Sequence, residues 1–371
     1  MRFAVITHVN HKLAKSFYYG YAPYVREMNI WFKYVDKVSI VAPLKRESSF
    51  SKMEIPYKHH KLYFKKAPTF SLISIKEIID TIVKFPVVLF RVWKAMIWAN
   101  HIHLRCPGNM GLLGCFVQVF FPSKPKTVKY AGNWDPNSKQ PWSYKLQKWI
   151  ISNTFLSKNM RVLVYGEWPN QTKNIIPFFT ASFSENEIES VEKDFSNTLD
   201  ILFVGSLVEG KQPLFAIRLV EKLKKCGKDV RLKIFGEGQL KADLENYIQL
   251  NNLSDFIKVC GGVSLEQLKN EYKKSHFSVL PSTSEGWPKA VAEAMFFGCI
   301  PIATKVSCVP WMLGNGDRGI LLSERLDKDR NTIIEILNNT AQLRIMSEKA
   351  MKWSHNYTIE YFEKEIAKLL L

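Results

Sequence analysis

The feature that most constrains this chain is a rhythm. Short β-branched or aliphatic runs alternate with segments long enough for several helical turns, and they do so along nearly its whole length. In the first half the expected strands are Arg2–His8, Val38–Ala42, His101–Arg105, Thr127–Tyr130 and Val162–Tyr165. Helices fit between them at Pro23–Tyr34, Ile73–Ala99, Met110–Phe120 and Tyr144–Phe155. After an acidic stretch, Ser182–Asp200, the rhythm restarts with strands Ile201–Val204, Val230–Phe235, Phe256–Val259, Phe277–Leu280 and Ile300–Ala303. The helices expected there are Pro213–Cys226, Leu240–Leu250, Leu265–Lys273 and Pro288–Phe297. A helix between two strands returns the chain to the same sheet edge, so the strands must be parallel. The expected class is α/β, with two doubly wound, Rossmann-like parallel-sheet domains facing across a cleft. Ligands of such sheets bind beyond the carboxyl ends of the strands.

A length of 371 residues and an apolar fraction of 46% suit two such domains and exclude disorder, collagen and small disulfide scaffolds. Charge is distributed unevenly. Up to Pro177 the chain holds 27 basic and 8 acidic side chains; after it, 25 and 26. A half with such an excess suits a polyanionic neighbour, either nucleic acid or an anionic membrane. The six cysteines form no C-x-x-C pair and read as buried thiols, not as a zinc site or disulfide framework. The opening MRFAVITHVNHK lacks the apolar core of a signal peptide, and Val87–Ala99 is too short to span a bilayer. A cytoplasmic protein that at most lies on the inner face of the membrane is expected.

The segment Pro281–Met295, PSTSEGWPKAVAEAM, is the most informative. It runs from the end of a strand into a helix whose first amides, around Gly286, Trp287, Pro288 and Lys289, can hold an anion or a sugar oxygen. Glu285 and Glu293 are eight positions apart, roughly 12 Å along a helix. That is too far for an acid/base pair acting on one bond, for which hydrolase carboxylates stand ~5–9.5 Å apart. It suits two groups gripping different parts of one extended ligand, or a dipole-complementing Glu and a solvated one.

The string SEGWPKAVAEAM, followed by Gly298, Pro301 and Ala303-Thr304, resembles the E-x7-E signature of retaining family-4-type glycosyltransferases, which have the GT-B fold. The similarity extends to Phe203-Val204-Gly205 with Lys211, to Phe235-Gly236-Glu237-Gly238, Gly261-Gly262-Val263, and Val309-Pro310 before Arg318-Gly319. Pro23–Trp31 looks like enzymes of bacterial surface-polysaccharide clusters. The resemblance implies a nucleotide-diphosphate sugar as donor, a UDP-sugar first and a GDP-sugar second, with no metal or other cofactor required. It implies that Glu285 contacts donor-sugar hydroxyls, Glu293 the ribose, and Lys211 the diphosphate, and that Gly205, Ser206, Gly236, Gly238, Gly262 and Val263 wall the nucleotide pocket. Ser206 stands where the family usually has Arg, and Gln212 where it usually has Gly. Domains 1–178 and 179–355 would hold acceptor and donor, with 356–371 a helix crossing back to the first.

In the first half, alternation puts His101, His103 and Arg105 on one side of a strand. His103 or Arg105 could face the sugar at its end, as a histidine often does in related enzymes, with His8 and His11 on the same edge. In Ile73–Ala99, Lys84, Arg91 and Lys94 fall within about 80° on a helical wheel beside Trp93 and Phe85, as in a helix lying on anionic lipid or one buried but for a basic edge. Lys58–Lys66 and Lys124–Lys129 add to that charge. The expected function is glycosyl transfer to a glycan or lipid-linked acceptor, with no nucleic acid involved. The alternatives are a nucleic-acid-binding protein, or an epimerase or phosphorylase on the same fold.

Overall fold

The computed structural model describes residues 1–14, 16–45, 54–68 and 75–371, with side chains from residue 84 onward in the last stretch. The expected helix start at Ile73 lies outside the described residues. The chain forms two units, Met1–Phe178 with Glu363–Leu371, and Phe179–Phe362.

The first unit is built on strands β1 (Arg2–Ile6), β2 (His11–Ala14), β3 (Phe17–Tyr21), β4 (Lys37–Lys45), β5 (Glu54–Pro56), β6 (Leu62–Ala67), β7 (His101–Cys106), β8 (Lys126–Tyr130), β9 (Met160–Tyr165) and β10 (Ile175–Phe178). Helices α1 (Ala22–Trp31), α2 (Ile75–Trp98), α3 (Asn109–Val117) and α4 (Trp142–Ser152) connect them. Seven strands run parallel in the order β6-β4-β1-β7-β8-β9-β10. The order reverses between β1 and β7, which is where an open sheet of this kind leaves a crevice. Ile6, Leu104, Val128 and Val162 from the sheet pack with Val92 of α2 and Leu113 of α3 in one core. Strand β8, KTVKY, is buried throughout despite two lysines. Lys126 Nζ reaches the Phe121 carbonyl at 2.6 Å, and Lys129 lies over the rings of Tyr165 and Phe178, so neither charge is abandoned in the interior.

The second unit has a six-stranded parallel sheet, β11 (Leu199–Val204), β12 (Val230–Phe235), β13 (Ile257–Gly261), β14 (Phe277–Leu280), β15 (Ile300–Thr304) and β16 (Ile320–Leu322). Its order is β13-β12-β11-β14-β15-β16, so its reversal lies between β11 and β14. Helices α5 (Pro213–Lys225), α6 (Lys241–Leu250), α7 (Leu265–Lys274), α8 (Lys289–Phe296), α9 (Val309–Met312), α10 (Leu326–Leu337) and α11 (Thr340–Ser354) complete it. Every residue of β14 and β15 is buried, as strands covered on both faces require. Ile201 and Phe203 pack with Ile217 of α5 and Ile333 of α10, while Leu202 packs on the other face with Tyr272 and Phe297. Helix starts follow local chemistry: Pro213 opens α5, Ser264 and Gln267 form a capping box on α7, and Asn339 caps α11.

The acidic stretch is an integral part of this unit. Glu187 and Glu189 pair with Lys269 and Lys273 of α7, and buried Lys193 donates to the carbonyls of Tyr272 and Lys273 at that helix's last turn. The last helix, α12 (Ile359–Leu370), begins in the second unit and ends in the first. Within the first unit Glu363 accepts from Lys33 (2.6 Å) and Tyr34 (3.1 Å), and Arg161 donates to the Lys368 carbonyl.

Strands β5, β10 and β16 and helices α9, α10 and α11 add to the expected elements, and two stretches take a different form. The segment after β1 is a β2–β3 hairpin, not a strand-to-helix loop, and the basic run Lys58–Lys66 overlaps β6.

Candidate functional site

In the second unit, the residues singled out from the sequence gather at the carboxyl edge of the sheet. Lys211 ends a short turn after β11, and Glu285 lies in the loop after β14, the two strands that flank the reversal. Lys211 Nζ stands 2.5 Å from Glu285 Oε1. A backbone bond from Thr283 N–H to the Gly210 carbonyl, 2.9 Å, ties the loops that carry them. Glu285 has 8% of its side chain exposed and Lys211 29%, so the carboxylate is nearly desolvated and the ammonium is its compensating charge. A ligand entering here meets a cation and an acceptor of hydroxyl hydrogens side by side.

Glycines let the neighbouring loops close on one another. At Gly236, φ is +153° and a Cβ would stand 1.8 Å from the Gly205 carbonyl oxygen; at Gly238 it would stand 2.3 Å from that of Leu207. The Gly262 N–H donates to Glu237 Oε1 at 3.0 Å, and this bond, with Lys241 next, holds the Glu237 carboxyl below its ordinary pKa. Val263 follows at the edge of the core shared by Leu202 and Phe297. Ser206 is exposed. Gln212, the second departure from the family pattern, has φ +49°, ψ +49°, the left-handed region in which a glycine is comfortable and a glutamine strained.

Glu293 lies on α8 and accepts from Ser182 Oγ (2.6 Å) and Tyr272 OH (3.3 Å), partners its spacing from Glu285 did not reveal. Burial, then the Glu293 charge, push the Tyr272 phenol well above its usual pKa, so it stays a donor. Helix α8 begins at Lys289, one residue later than expected, with Pro288, which has no N–H, as its cap and Gly286 two residues before it. The Trp287 ring is buried in an aromatic cluster with Trp311, Trp353 and Tyr357, which leaves its backbone as the part of the residue that a ligand could meet. Arg318 stacks on Trp353 and caps the carbonyls of Trp311 and Met312, while a Cβ at Gly319 would meet Pro301 at 2.7 Å. These contacts account for the Arg318-Gly319 and Pro301 portions of the motif.

In the first unit, a cavity of about 270 Å³ opens at the β1/β7 reversal, between His8 and Asn10 after β1, Pro43, Pro107 and Gly108 after β7, and Tyr144 of α4. His8 is exposed in part, its ring rests against Gly108, and this burial, then the Arg105 charge, lowers its pKa. The other three first-unit candidates lie in the interior. His103 is fully buried between Phe3 and Trp31 with Nδ1 2.9 Å from Thr127 Oγ1, and its pKa is depressed by burial and then by Arg105. Arg105 pairs with buried Glu27 at 2.7 Å and lies over Tyr24; burial opposes its charge, and Glu27 more than restores it. His11 sits in β2, 1% exposed, with Nε2 2.7 Å from Tyr57 OH. Alternation assigned their face correctly but not what covers it. Asn10 and Tyr144, which line the cavity, carried no motif.

Helix α2 carries an apolar stripe, Phe90, Trp93 and Ile97 at i, i+3, i+7, with Lys94 beside it; Phe90 (64% exposed) and Ile97 stand in water, and the Trp93 ring packs on Phe120 and Phe121. Arg91 instead donates to the Lys66 carbonyl of β6. Among the described residues no helix is long and apolar enough to cross a membrane, and no three His, Cys, Asp or Glu side chains come together as a metal site.

Comparison with known proteins bears on this geometry. Residues 184–353 match the family described as glycosyl transferases group 1. An uncharacterised glycosyltransferase of Methanocaldococcus jannaschii is 29% identical over 160 residues, 43% of this chain and 44% of that protein. The amylovoran biosynthesis glycosyltransferase AmsK of Erwinia amylovora is 31% identical over 132 residues, 34% of this chain and 32% of its own. The chain thus spans less than half the length of these relatives. A solved structure of HepE from Anabaena, in complex with UDP, matches 99% of this chain and 98% of its own with a TM-score of 0.67 at 14% identity, a likeness of fold, here the GT-B fold.

Proposed function

Since residues 184–353 belong to the glycosyl transferases group 1 family, we propose that the chain transfers a sugar from a nucleotide-diphosphate sugar to a glycan or lipid-linked acceptor, with retention of configuration. The observation that carries this reading is the Lys211–Glu285 pair at the reversal of the second sheet. Lys211 and the amides opening α8 meet the charge of the leaving diphosphate, and Glu285 accepts from hydroxyls of the donor sugar. Glu293, held by Ser182 and Tyr272, keeps lone pairs free for the ribose hydroxyls. Gly205, Gly236, Gly238, Gly262 and Val263 wall the nucleotide side, and exposed Ser206 leaves the phosphates to Lys211 and Lys289. As the anomeric carbon–oxygen bond breaks, its electron pair goes to the diphosphate. The acceptor oxygen adds on the same face and gives its proton to a leaving phosphate oxygen. Positioning and electrostatics make the main contribution. Uracil is the favoured base of the donor, because the HepE structure of the same fold holds UDP.

The acceptor side is assigned to the first unit, with His8 at its cavity. An acceptor embedded in an anionic leaflet accounts for the basic excess of the first half. The stripe on α2 with Lys94, rather than Arg91, supports peripheral contact at the cytoplasmic face of the membrane.

The test is a thermal-shift panel of UDP, GDP, ADP and CDP followed by turnover with the sugar of the stabilising nucleotide. A ligand at 100 Kd stabilises by about 2.7 kcal/mol. Glu285→Gln and Lys211→Ala are each expected to lower turnover by ~100-fold or more, as loss of one transition-state contact does. NMR of the product should show the anomeric configuration of the donor. Full activity in both variants, or salt-sensitive nucleic-acid binding with no response to any nucleotide, would overturn the reading.

A further inference from the structure

We propose that a groove along α4 in the first unit binds a saccharide carrying an anionic group, a carboxylate or a phosphate; this rests on the transferase reading, the saccharide being part of the acceptor. The groove encloses about 440 Å³, within the roughly 300–1,000 Å³ of small-ligand sites. It lies past the carboxyl end of β8 and is distinct from the His8 cavity, although Tyr144 of the same helix lines the latter. One wall is a stripe of α4 at i, i+3, i+4 and i+7: Lys145, Lys148, Trp149 and Ser152.

The aromatic residues divide the work. Trp134 is 3% exposed and immobilised as the floor, its Nε1 donating to Gln171 at 2.9 Å and its ring meeting Tyr130 edge-on at 4.8 Å. Trp149 is 60% exposed, a large flat apolar surface with no interior to fill. A pyranose presents the complementary surface, C–H groups on one face and hydroxyls around its rim. The hydroxyls find neutral partners in Ser138, Gln140 and Gln171, which also line the groove.

The charge in the groove is of one sign. Among the described residues that line it there are two lysines and no carboxylate. Lys148 Nζ lies 5.1 Å from the Trp134 ring centroid and 5.6 Å from that of Tyr130, and reaches the Asp135 carbonyl at a long 3.4 Å. Burial lowers its pKa to about 8, although the Asp135 charge acts the other way. A half-buried ammonium with one long hydrogen bond gains more from an anionic partner than from water.

The experiment is calorimetric titration of the full chain with three probes: a hyaluronan tetrasaccharide (carboxylate), mannose 6-phosphate (phosphate) and maltotetraose (neutral). At least one charged saccharide should bind, and maltotetraose at least about 10-fold more weakly, the cost of one lost charged hydrogen bond. Trp149→Ala and Lys148→Gln should each weaken the charged saccharide by a similar factor while leaving stabilisation by UDP unchanged, which also shows that both variants fold. The pattern across the two charged probes tells carboxylate from phosphate. Equal binding of the neutral saccharide, undiminished binding in both variants, or no binding of any probe at millimolar concentration overturns the proposal. Loss of the UDP response in the unaltered chain, with saccharide binding intact, would instead count against the transferase reading.

Discussion

His11 and His101 are almost wholly buried, and burial holds each neutral with a pKa of about 4. The unfolded chain binds a proton on each below the ordinary 6.5, whereas the folded one does so only near 4. Between those limits the unfolded state binds more protons, so stability falls as pH falls. From pH 6.5 to 5, each histidine is expected to remove about 2 kcal/mol. Melting curves across that range should show the loss, and His11→Gln should remove one histidine's share of the slope; a parallel curve for the variant would contradict the assignment. These histidines also mark how far sequence reading reached. Lys211 and Glu285, 74 positions apart, were recognisable through the motifs around them, and they meet. His103 and Arg105 were placed on the correct face of β7, but alternation cannot show that Trp31 and Glu27 of a separate helix close over that face.

At the scale of elements, α2 is the one whose sequence and exposure disagree most with an ordinary core helix. Changing Phe90, Trp93 and Ile97 together to Ser should release the chain from phosphatidylglycerol vesicles, with a loss of melting temperature that reports only the Trp93 contacts to Phe120 and Phe121, since Phe90 and Ile97 already face water. Lys94→Gln alone should weaken vesicle binding about 5-fold, corresponding to the ~1 kcal/mol of one basic residue near an anionic surface. Co-sedimentation measures both, and undiminished binding by the triple variant would return α2 to a purely structural role. The buried parallel strands were legible because continuous apolar runs such as FSVL have few other places to go. Hairpin β2–β3 and strand β6 were not, because in HKLA, FYYGY and LYFKKA lysines and exposed tyrosines conceal the alternation. These strands pair along the margin of the sheet, where such residues are tolerated.

For the whole molecule, the decisive segment is the last nine residues. Ile366 is fully buried, and Glu363 and Lys368 tie the segment to Lys33, Tyr34 and Arg161. Ending the chain at Phe362 should cost the first unit about 3 kcal/mol, the burial of one large aliphatic side chain with its hydrogen bonds. Calorimetry should then resolve an earlier transition for that unit, while the response to UDP persists; a single unshifted transition would show the segment to be dispensable. The discontinuity has a consequence in time. Residues 179–362 must be synthesised before the first unit receives its final helix segment. At roughly 5–20 residues per second, that leaves the nascent first unit incomplete for about 10–40 s. During that interval the patch awaiting Ile366 is open to chaperones, and the usual sequence, in which the leading domain is finished before the trailing one begins, is reversed: the trailing domain is completed while the leading one is still unfinished.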